Sequence, residues 1–213
     1  MFWCKGLLKE MKEGSVYEDK EIAVIRDKFP KAKHHFLALP KADIKNLQGL
    51  NKSHVPLLQK LESKGLEVAK DLGDKTATFR LGYHAIPSME RLHLHIISDD
   101  FIAIGLKTKK HWNSFTTEFF IPSEEIITRL DKEEKITIKQ EFYKSQLLRP
   151  LQCHKCSFMP RTMPELKDHL NKHITNSQSP TNKRTYLECR LLQMLLDCLL
   201  GPLNCLLLLC NVL

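Results

Sequence analysis

Two groups of histidine and cysteine residues are spaced in ways that could support chemistry. The first is Cys153-x2-Cys156, followed after twelve residues by His169-x3-His173. Thiolates and imidazoles are the preferred ligands of tetrahedral structural Zn²⁺, and two histidines four residues apart share one face of a helix. The pattern therefore predicts a zinc finger with these four residues as ligands, and a chance match is the alternative.

The predicted finger also has a helix start and a basic surface. Thr162 and Glu165 form a capping-box pattern before the helix that would carry both histidines. Its basic side chains are Lys155, Arg161, Lys167 and Lys172. Such side chains suit contacts with phosphates, and one finger spans only ~3 bp. We expect the finger to hold DNA without specifying a sequence; a protein-binding finger is the alternative.

The second group is a run in which Arg91, His93 and His95 alternate with aliphatic residues. Residues two apart in a strand share a face, so these three side chains are predicted to face one way. The intervening Leu92, Leu94 and Ile96 would then face the core. Clustered imidazoles can provide a nucleophile and proton donors for reactions at phosphorus. A His-x-His pair alone is equally typical of a metal site or a polar sheet face.

Composition narrows the class of protein. The chain has 213 residues and a formal net charge of +8, which favours a polyanionic partner such as nucleic acid. Cys4 is the one cysteine before residue 150, so no disulfide framework supports the main domain and a reducing compartment is expected. Charged residues interrupt the N-terminal apolar run, which argues against a signal peptide.

Periodicity predicts an α+β sheet domain at 1–148, the finger at 149–175, and a polar linker with an apolar tail at 176–213. Strands are predicted at 16–26 (two), 34–39, 76–82 and 92–98, and helices at 5–13, 52–72 and 123–130. The role of the tail stays open between a membrane anchor, a helix that docks on a partner, and translated sequence without an evolved role. A membrane helix needs ~20 apolar residues, and Asp197, Asn204 and Gly201-Pro202 interrupt the run. No stable membrane association is expected.

Several separated phrases resemble one known family. They are Asp27-Lys28-Phe29-Pro30-Lys31-Ala32, Gly82-Tyr83-His84-Ala85-Ile86-Pro87-Ser88-Met89, His93-Leu94-His95, Lys109-Lys110-His111-Trp112-Asn113-Ser114-Phe115 and Cys153-His154-Lys155-Cys156. From about Trp3 to His173 the chain resembles the histidine-triad superfamily, in particular its DNA deadenylases that carry a C-terminal C2H2 finger. The resemblance implies a histidine-triad (HIT-like) antiparallel sheet with helices, followed by that small finger with structural Zn²⁺.

The resemblance also implies an activity. Members of this kind remove AMP from the 5′-adenylated DNA ends left by abortive ligation, through a covalent histidine–AMP intermediate. By this comparison His93 is the nucleophile, His95 and His84 contact phosphate oxygens, and His35 is a proton donor near the leaving phosphate. AMP is the product, nicked or broken DNA is the partner, and the nucleus, including nucleoplasm and nucleolus, is the expected location.

Further residues receive substrate-binding roles from the same comparison. Asp27, Lys28, Phe29, Pro30 and Lys31 would line the nucleotide pocket, with Asp27 suited to ribose hydroxyls. Ser88, Met89 and Lys110 would contact the DNA strand, and Trp3 would stack against its exposed end. The alternatives are polar sheet residues for His35 and His84, solvated lysines for Lys31 and Lys110, a turn residue for Asp27, and a disordered terminus for Trp3.

Two departures from the family pattern limit these expectations. Arg91 stands where the triad has its first histidine, and arginine neither accepts a hydrogen bond nor loses its charge. Activity could therefore be weakened, which keeps a non-catalytic DNA-end binder open beside a general histidine-triad nucleotide hydrolase. The N-terminal forkhead-associated domain of vertebrate members is absent from this sequence, so the resemblance assigns no scaffold partners.

Overall fold

The computed structural model describes residues 13–133 and 135–177, together with Leu7 and Met11. The predictions for Trp3 and for the tail at 178–213 fall outside these residues. Contacts divide the chain into two compact units, 1–170 and 171–213. The division predicted at residues 148 and 175 stays a prediction.

The described residues form a six-stranded antiparallel sheet, which confirms the α+β class. Its order is β1-β2-β3-β5-β4-β6, so β5 lies inside the sheet between β3 and β4. The predicted strands are present with bounds shifted by up to three residues, and β6 was not predicted. The strands are β1 (Ser15–Glu18), β2 (Ile22–Arg26), β3 (His35–Pro40), β4 (Phe79–His84), β5 (Leu94–Ser98) and β6 (Phe120–Pro122).

Helices flank this sheet and lead into the finger. The helix predicted from residue 52 begins at Val55, because residues 52–54 form a separate 3₁₀ turn and Pro56 occupies the first helical turn. No helix among the described residues has the length and apolar character to cross a bilayer. The helices are α1 (Val55–Leu72), α2 (Lys109–Thr116), α3 (Ser123–Glu133), α4 (Gln140–Gln146) and α5 (Met163–Ser177).

Helix α1 packs directly on β5, the strand that carries His95. A Cβ atom on Gly65 would lie 2.7 Å from Cδ1 of Ile96, so a larger residue here would have to displace the end of the Ile96 side chain. Leu92, Leu94 and Ile96 are buried in the core that α1 covers. The alternation in the sequence therefore predicted the core face of this strand correctly.

Helix α2 was not predicted, although its sequence contains a start signal and an apolar face. The Thr108 hydroxyl accepts a hydrogen bond from the His111 amide at 3.2 Å, which caps the helix. Trp112 and Phe115, three residues apart, are both buried. Eight residues with many polar side chains gave too short a pattern for a periodicity argument.

The same helix holds the connection between the sheet domain and the finger. The buried Asn113 amide donates to the carbonyls of Leu147 and Arg149, at 3.1 and 2.8 Å. The indole N–H of Trp112 donates to the carbonyl of Gln152 at 3.0 Å. These bonds satisfy main-chain carbonyls in the irregular segment that follows α4. Side chains of α2 therefore fix the path of the chain into the finger.

Candidate active site and zinc centre

Four histidines selected from the sequence meet in one cluster, because they lie on or beside neighbouring strands. His35 is on β3, His84 ends β4, His95 is on β5 and His93 comes just before β5. The ring centroid of His95 is 5.2 Å from that of His35, 4.4 Å from His84 and 4.8 Å from His93. The strand order β3-β5-β4 therefore assembles the predicted catalytic set around His95.

The His93 ring is held in an orientation that suits a nucleophile. Its Nδ1 lies 2.6 Å from the main-chain carbonyl oxygen of Arg91, which can only accept a hydrogen bond. Nδ1 therefore carries the proton. Burial lowers the pKa of His93 despite this hydrogen bond, so the ring is neutral near pH 7. The lone pair is then on Nε2, to which no described residue hydrogen-bonds.

A chain of hydrogen bonds fixes the protons of His35 and His95. The Lys31 amide donates to Nδ1 of His35 at 3.3 Å, and Nε2 of His35 lies 3.0 Å from Nδ1 of His95. Burial lowers the pKa of both rings, so each carries one proton at neutral pH. His35 then donates from Nε2, and His95 keeps its own proton on Nε2. That atom is buried without a partner among the described residues, and it can donate to an oxyanion.

Buried neutral histidines predict a loss of stability in acid. Burial, reinforced by the charges of Lys31 and His93 and opposed by Asp27, lowers the pKa of His35 from 6.5 to about 4. Below pH 6.5 the unfolded chain binds a proton that the folded chain refuses. Stability is full above pH 6.5 and falls until pH 4, by roughly 3 kcal/mol from this residue.

Denaturant unfolding of the wild type and His35→Gln between pH 7 and 4 tests this expectation. The free energy of unfolding of the glutamine variant should fall less steeply as the pH is lowered. The slope against pH should differ from that of the wild type by up to one bound proton. His54→Gln, at the start of α1 and outside the cluster, is the control for the loss of a histidine elsewhere in the chain. Equal slopes for wild type and His35→Gln would contradict the expectation.

The loop predicted to line a nucleotide pocket adjoins this cluster. An oxygen of the Asp27 carboxylate lies 3.4 Å from Nδ1 of His35, and the other oxygen accepts from the Phe29 amide at 2.7 Å. Asp27 thus stabilises the turn that follows it and also contacts the histidine cluster. Lys28 and Phe29 are exposed, Pro30 and Lys31 are half-buried, and burial lowers the pKa of Lys31. Of this loop, Asp27 contacts His35 through its carboxylate and Lys31 through its main-chain amide.

The predicted DNA-contacting residues lie at different depths. Ser88 and Lys110 are exposed, and Lys110 is in the first turn of α2. Met89 is half-buried and packs against a cluster that includes Leu7 and Met11. A small cavity beside His93 is also lined by Asn46, Tyr83, His84 and Arg91. The roles of these residues toward a substrate stay predictions.

Sequence reasoning missed Phe115, whose ring packs against three of the histidines. Its centroid is 4.6 Å from that of His84, 5.2 Å from His95 and 5.4 Å from His35. This aromatic wall supplies much of the apolar environment that keeps the rings neutral. Phe115 belongs to a phrase that carried the family resemblance, but only the position of α2 shows which way it faces.

The predicted zinc ligands come together in the structure. Ligand atoms of Cys153, Cys156, His169 and His173 all lie within 4.8 Å of one another, and Sγ of Cys156 is 3.1 Å from Nε2 of His169. Two thiolates and two imidazoles at this separation fit a tetrahedral Zn²⁺. Structural zinc is therefore the metal of this site, where it would fix the fold of the finger.

A second group of possible ligand atoms, on Asp27, His35 and His95, also lies within 4.8 Å. The nitrogen atoms by which His35 and His95 approach each other already share a hydrogen bond. We therefore attribute the closeness of these three side chains to hydrogen bonding within the histidine cluster.

The helix of the finger begins with half of the predicted capping box. The Thr162 hydroxyl accepts from the Glu165 amide at 3.3 Å, as predicted. The Glu165 carboxylate accepts instead from the Arg161 amide at 2.8 Å. Two amides of the helix start are thus satisfied by neighbouring side chains.

The first part of the finger shares a hydrophobic cluster with the sheet domain. Cys153, Leu166 and Leu170 are buried in the same cluster as Trp112 and Phe115. His154, between the two cysteine ligands, approaches the Asp99 carboxylate at 3.2 Å in the turn after β5. Residues 149–170 therefore pack closely on the sheet.

Comparisons with known proteins agree with this fold and site. The family described as scavenger mRNA decapping enzyme C-term binding matches residues 3–111, and the C2HE / C2H2 / C2HC zinc-binding finger matches residues 116–176. The first match covers half of the chain. The chain therefore belongs to the histidine-triad family, in a form that joins this sheet to a zinc finger.

Within that family the chain is similar to aprataxins. Aprataxin of Gallus gallus is 46% identical over 177 residues, which are 81% of this chain and 55% of that protein. The aprataxin-like protein of Drosophila melanogaster is 46% identical over 182 residues, 84% of this chain and 28% of that protein. The chain thus spans about half or less of these relatives.

A solved structure extends the likeness to three dimensions. The crystal structure of the aprataxin ortholog Hnt3 in complex with DNA matches with a TM-score of 0.67 and 26% identity. The match covers 82% of this chain and 96% of that one.

Proposed function

We propose that the chain is a DNA repair hydrolase that removes AMP from 5′-adenylated DNA ends. The observation that carries the proposal is the hydrogen bond from Nδ1 of His93 to a main-chain carbonyl, which leaves Nε2 as a nucleophile. Beside it lies an N–H of His95 that is buried without a partner among the described residues. A nucleophile next to such donors suits attack on a phosphorus atom that gains negative charge on its oxygens.

The first step would form a covalent intermediate. Nε2 of His93 attacks the phosphorus of the AMP group, and the bond from that phosphorus to the bridging oxygen breaks. The DNA 5′-phosphate leaves with the bonding electrons. The Nε2–H of His95 donates a hydrogen bond that stabilises the charge on phosphate oxygens. His35 keeps its single proton and shares it as a hydrogen bond with Nδ1 of His95, which holds the His95 ring in the tautomer that faces the phosphate.

The second step would regenerate the ring. Water attacks the same phosphorus from the side that the DNA end has vacated, and the phosphorus–nitrogen bond breaks. His93 returns to its neutral form with the proton on Nδ1, the water proton passes to solvent or phosphate, and AMP departs. The order requires DNA to leave before water enters, since both occupy the position opposite the histidine.

Nucleic acid as the substrate is supported by independent features. The formal net charge is +8, and a zinc finger with basic side chains packs beside the histidine cluster. The similar Hnt3 structures contain DNA, in one case with guanosine. Because the proposed substrate is a DNA end, we propose that the protein acts in the nucleus, in the nucleoplasm and nucleolus.

The test is incubation of the chain with nicked DNA that carries a 5′-adenylate, and separately with a small adenylate such as adenosine phosphoramidate. We expect fast AMP release from the DNA and slower release from the small compound. Acid quenching during the first turnover should trap AMP on a peptide that contains His93, detected by mass spectrometry. His111→Gln, on α2 and outside the cluster of four, is the matched control and should form the same adduct.

The alternatives give different results in the same experiment. A general nucleotide hydrolase would turn over the small adenylate and leave the adenylated DNA intact. A non-catalytic end binder, the interpretation that Arg91 keeps open, would bind the DNA without releasing AMP or forming an adduct. Either result would overturn the proposal.

A further inference from the structure

Arg91, the residue that departs from the triad pattern, is buried, and both terminal nitrogens of its guanidinium bind acceptors. Its side chain is 8% exposed. Nη2 donates to the carbonyls of Pro40 and Lys41, both at 2.9 Å, and Nη1 contacts the Asp43 carboxylate at 3.0 Å. All three acceptors belong to the segment at the end of β3. The planar guanidinium presents five donors in a fixed fork, whereas an ammonium has three donors on one nitrogen and an imidazole at most two.

The same segment also holds the peptide group that contacts the nucleophile. The Leu92 amide donates to the carbonyl of Ile44 at 2.8 Å. On the opposite side of this peptide group, the Arg91 carbonyl accepts the proton of Nδ1 of His93 at 2.6 Å. The peptide group between Arg91 and Leu92, whose carbonyl fixes the His93 ring, is thus bound to residues 40–44 in two ways. One is through its own N–H, and the other is through the Arg91 side chain.

We propose that Arg91 is a positioning residue, whose guanidinium clamps the end of β3 so that its own carbonyl holds the proton of His93 on Nδ1 and leaves Nε2 to attack. The clamp acts through main-chain geometry, since the side chain points to residues 40–43 and its carbonyl to the ring. Arginine at this position therefore supports the nucleophile instead of weakening it. The kinetic part of this inference rests on the proposed function.

The experiment compares Arg91→His, Arg91→Gln and Arg91→Lys with the wild type in the full chain. We expect kcat for AMP release to fall by about 10- to 100-fold in the His and Gln variants, as for the loss of other partners that orient a reactive histidine. KM should change little, because the Arg91 guanidinium is already bound to residues 40–43. Lysine keeps the charge but not the fork, so it should restore only part of the rate.

A second measurement does not depend on substrate. Nitrogen NMR of the labelled histidine rings should show His93 of the wild type as one tautomer, with the proton on Nδ1. In the His and Gln variants the two tautomers should become mixed. A purely structural role would lower the melting temperature and leave both the tautomer and the kcat of the folded fraction unchanged. That result would overturn the inference, as would a rate increase in Arg91→His.

Two control variants separate the clamp on the main chain from the loss of a surface charge. Asp43→Asn removes the negative charge at the water-exposed end of the clamp and should change kcat within about fivefold. Lys60→Met removes a cation that bridges Asp19 and Glu21 at the β1–β2 turn and should leave kcat unchanged. Where Arg91→Gln does not fold, Arg91→Lys decides by the same two readouts. If the wild type releases no AMP, the proposed function fails, whereas the NMR measurement still decides the positioning role.

Discussion

Replacing His93 by alanine is expected to slow AMP release from adenylated DNA by about 10⁴-fold or more, because the attacking atom is removed. The surrounding donors would remain, so DNA binding should be retained within a small factor. The residual rate would come from His95 and His84 stabilising a direct attack by water. Rapid-quench kinetics with the adenylated nick, together with a binding assay, measure both quantities.

Chemical rescue sharpens this experiment. Alanine at position 93 leaves space for a free imidazole beside the cavity lined by His84 and Arg91, and added imidazole should restore part of the rate. His111→Gln is the matched histidine control and should remain near the wild-type rate. A His93→Ala variant that kept a tenth of the activity would show that another group attacks the phosphorus.

Removing the zinc is expected to have the second large effect, on the catalytic cluster as well as on DNA binding. A finger that only holds DNA would give a division of labour, in which Cys153→Ala weakens DNA binding and largely spares the cleavage of small adenylates. The structure changes this expectation, because Cys153, Leu166 and Leu170 are buried together with Phe115, which packs on the histidines. Structural zinc contributes roughly 10–16 kcal/mol to small zinc modules, as much as the ~5–15 kcal/mol that stabilise a whole domain.

Cys153→Ser and treatment with a chelator should therefore lower the melting temperature and reduce the turnover of small adenylates by at least about tenfold. Adding Zn²⁺ back should restore the chelated protein but not the variant. Met159→Ala, an exposed change in the same finger, is the control. Normal turnover of small adenylates by a chelated protein that no longer binds DNA would restore the division of labour.

The sequence predicted those parts of the site that depend on local spacing. The zinc ligands follow from two short intervals, and the alternation through His93 and His95 correctly separated the core face from the reactive face. The proton arrangement could not be predicted, because the bond between His35 and His95 depends on the pairing of β3 with β5. Periodicity gives the face of a strand but not its neighbour or register.

The role that we propose for Arg91 also could not be predicted from the sequence. As a departure from the family pattern it left weakened activity open, since arginine cannot accept a hydrogen bond as histidine can. Its acceptors at Pro40, Lys41 and Asp43 lie about fifty residues away along the chain, and two of them are main-chain carbonyls, which carry no sequence signal. Phe115 was missed for a related reason, because its neighbours are set by where α2 packs.

The central position of β5 has a consequence for folding. His35 and His95 are sixty residues apart in the chain, and closing so long a loop costs entropy before any pairing compensates for it. Non-local pairing of this kind is slow compared with the formation of α1 or the β1–β2 hairpin. We therefore expect the histidine cluster to assemble late in folding, after α1 and the β1–β2 hairpin.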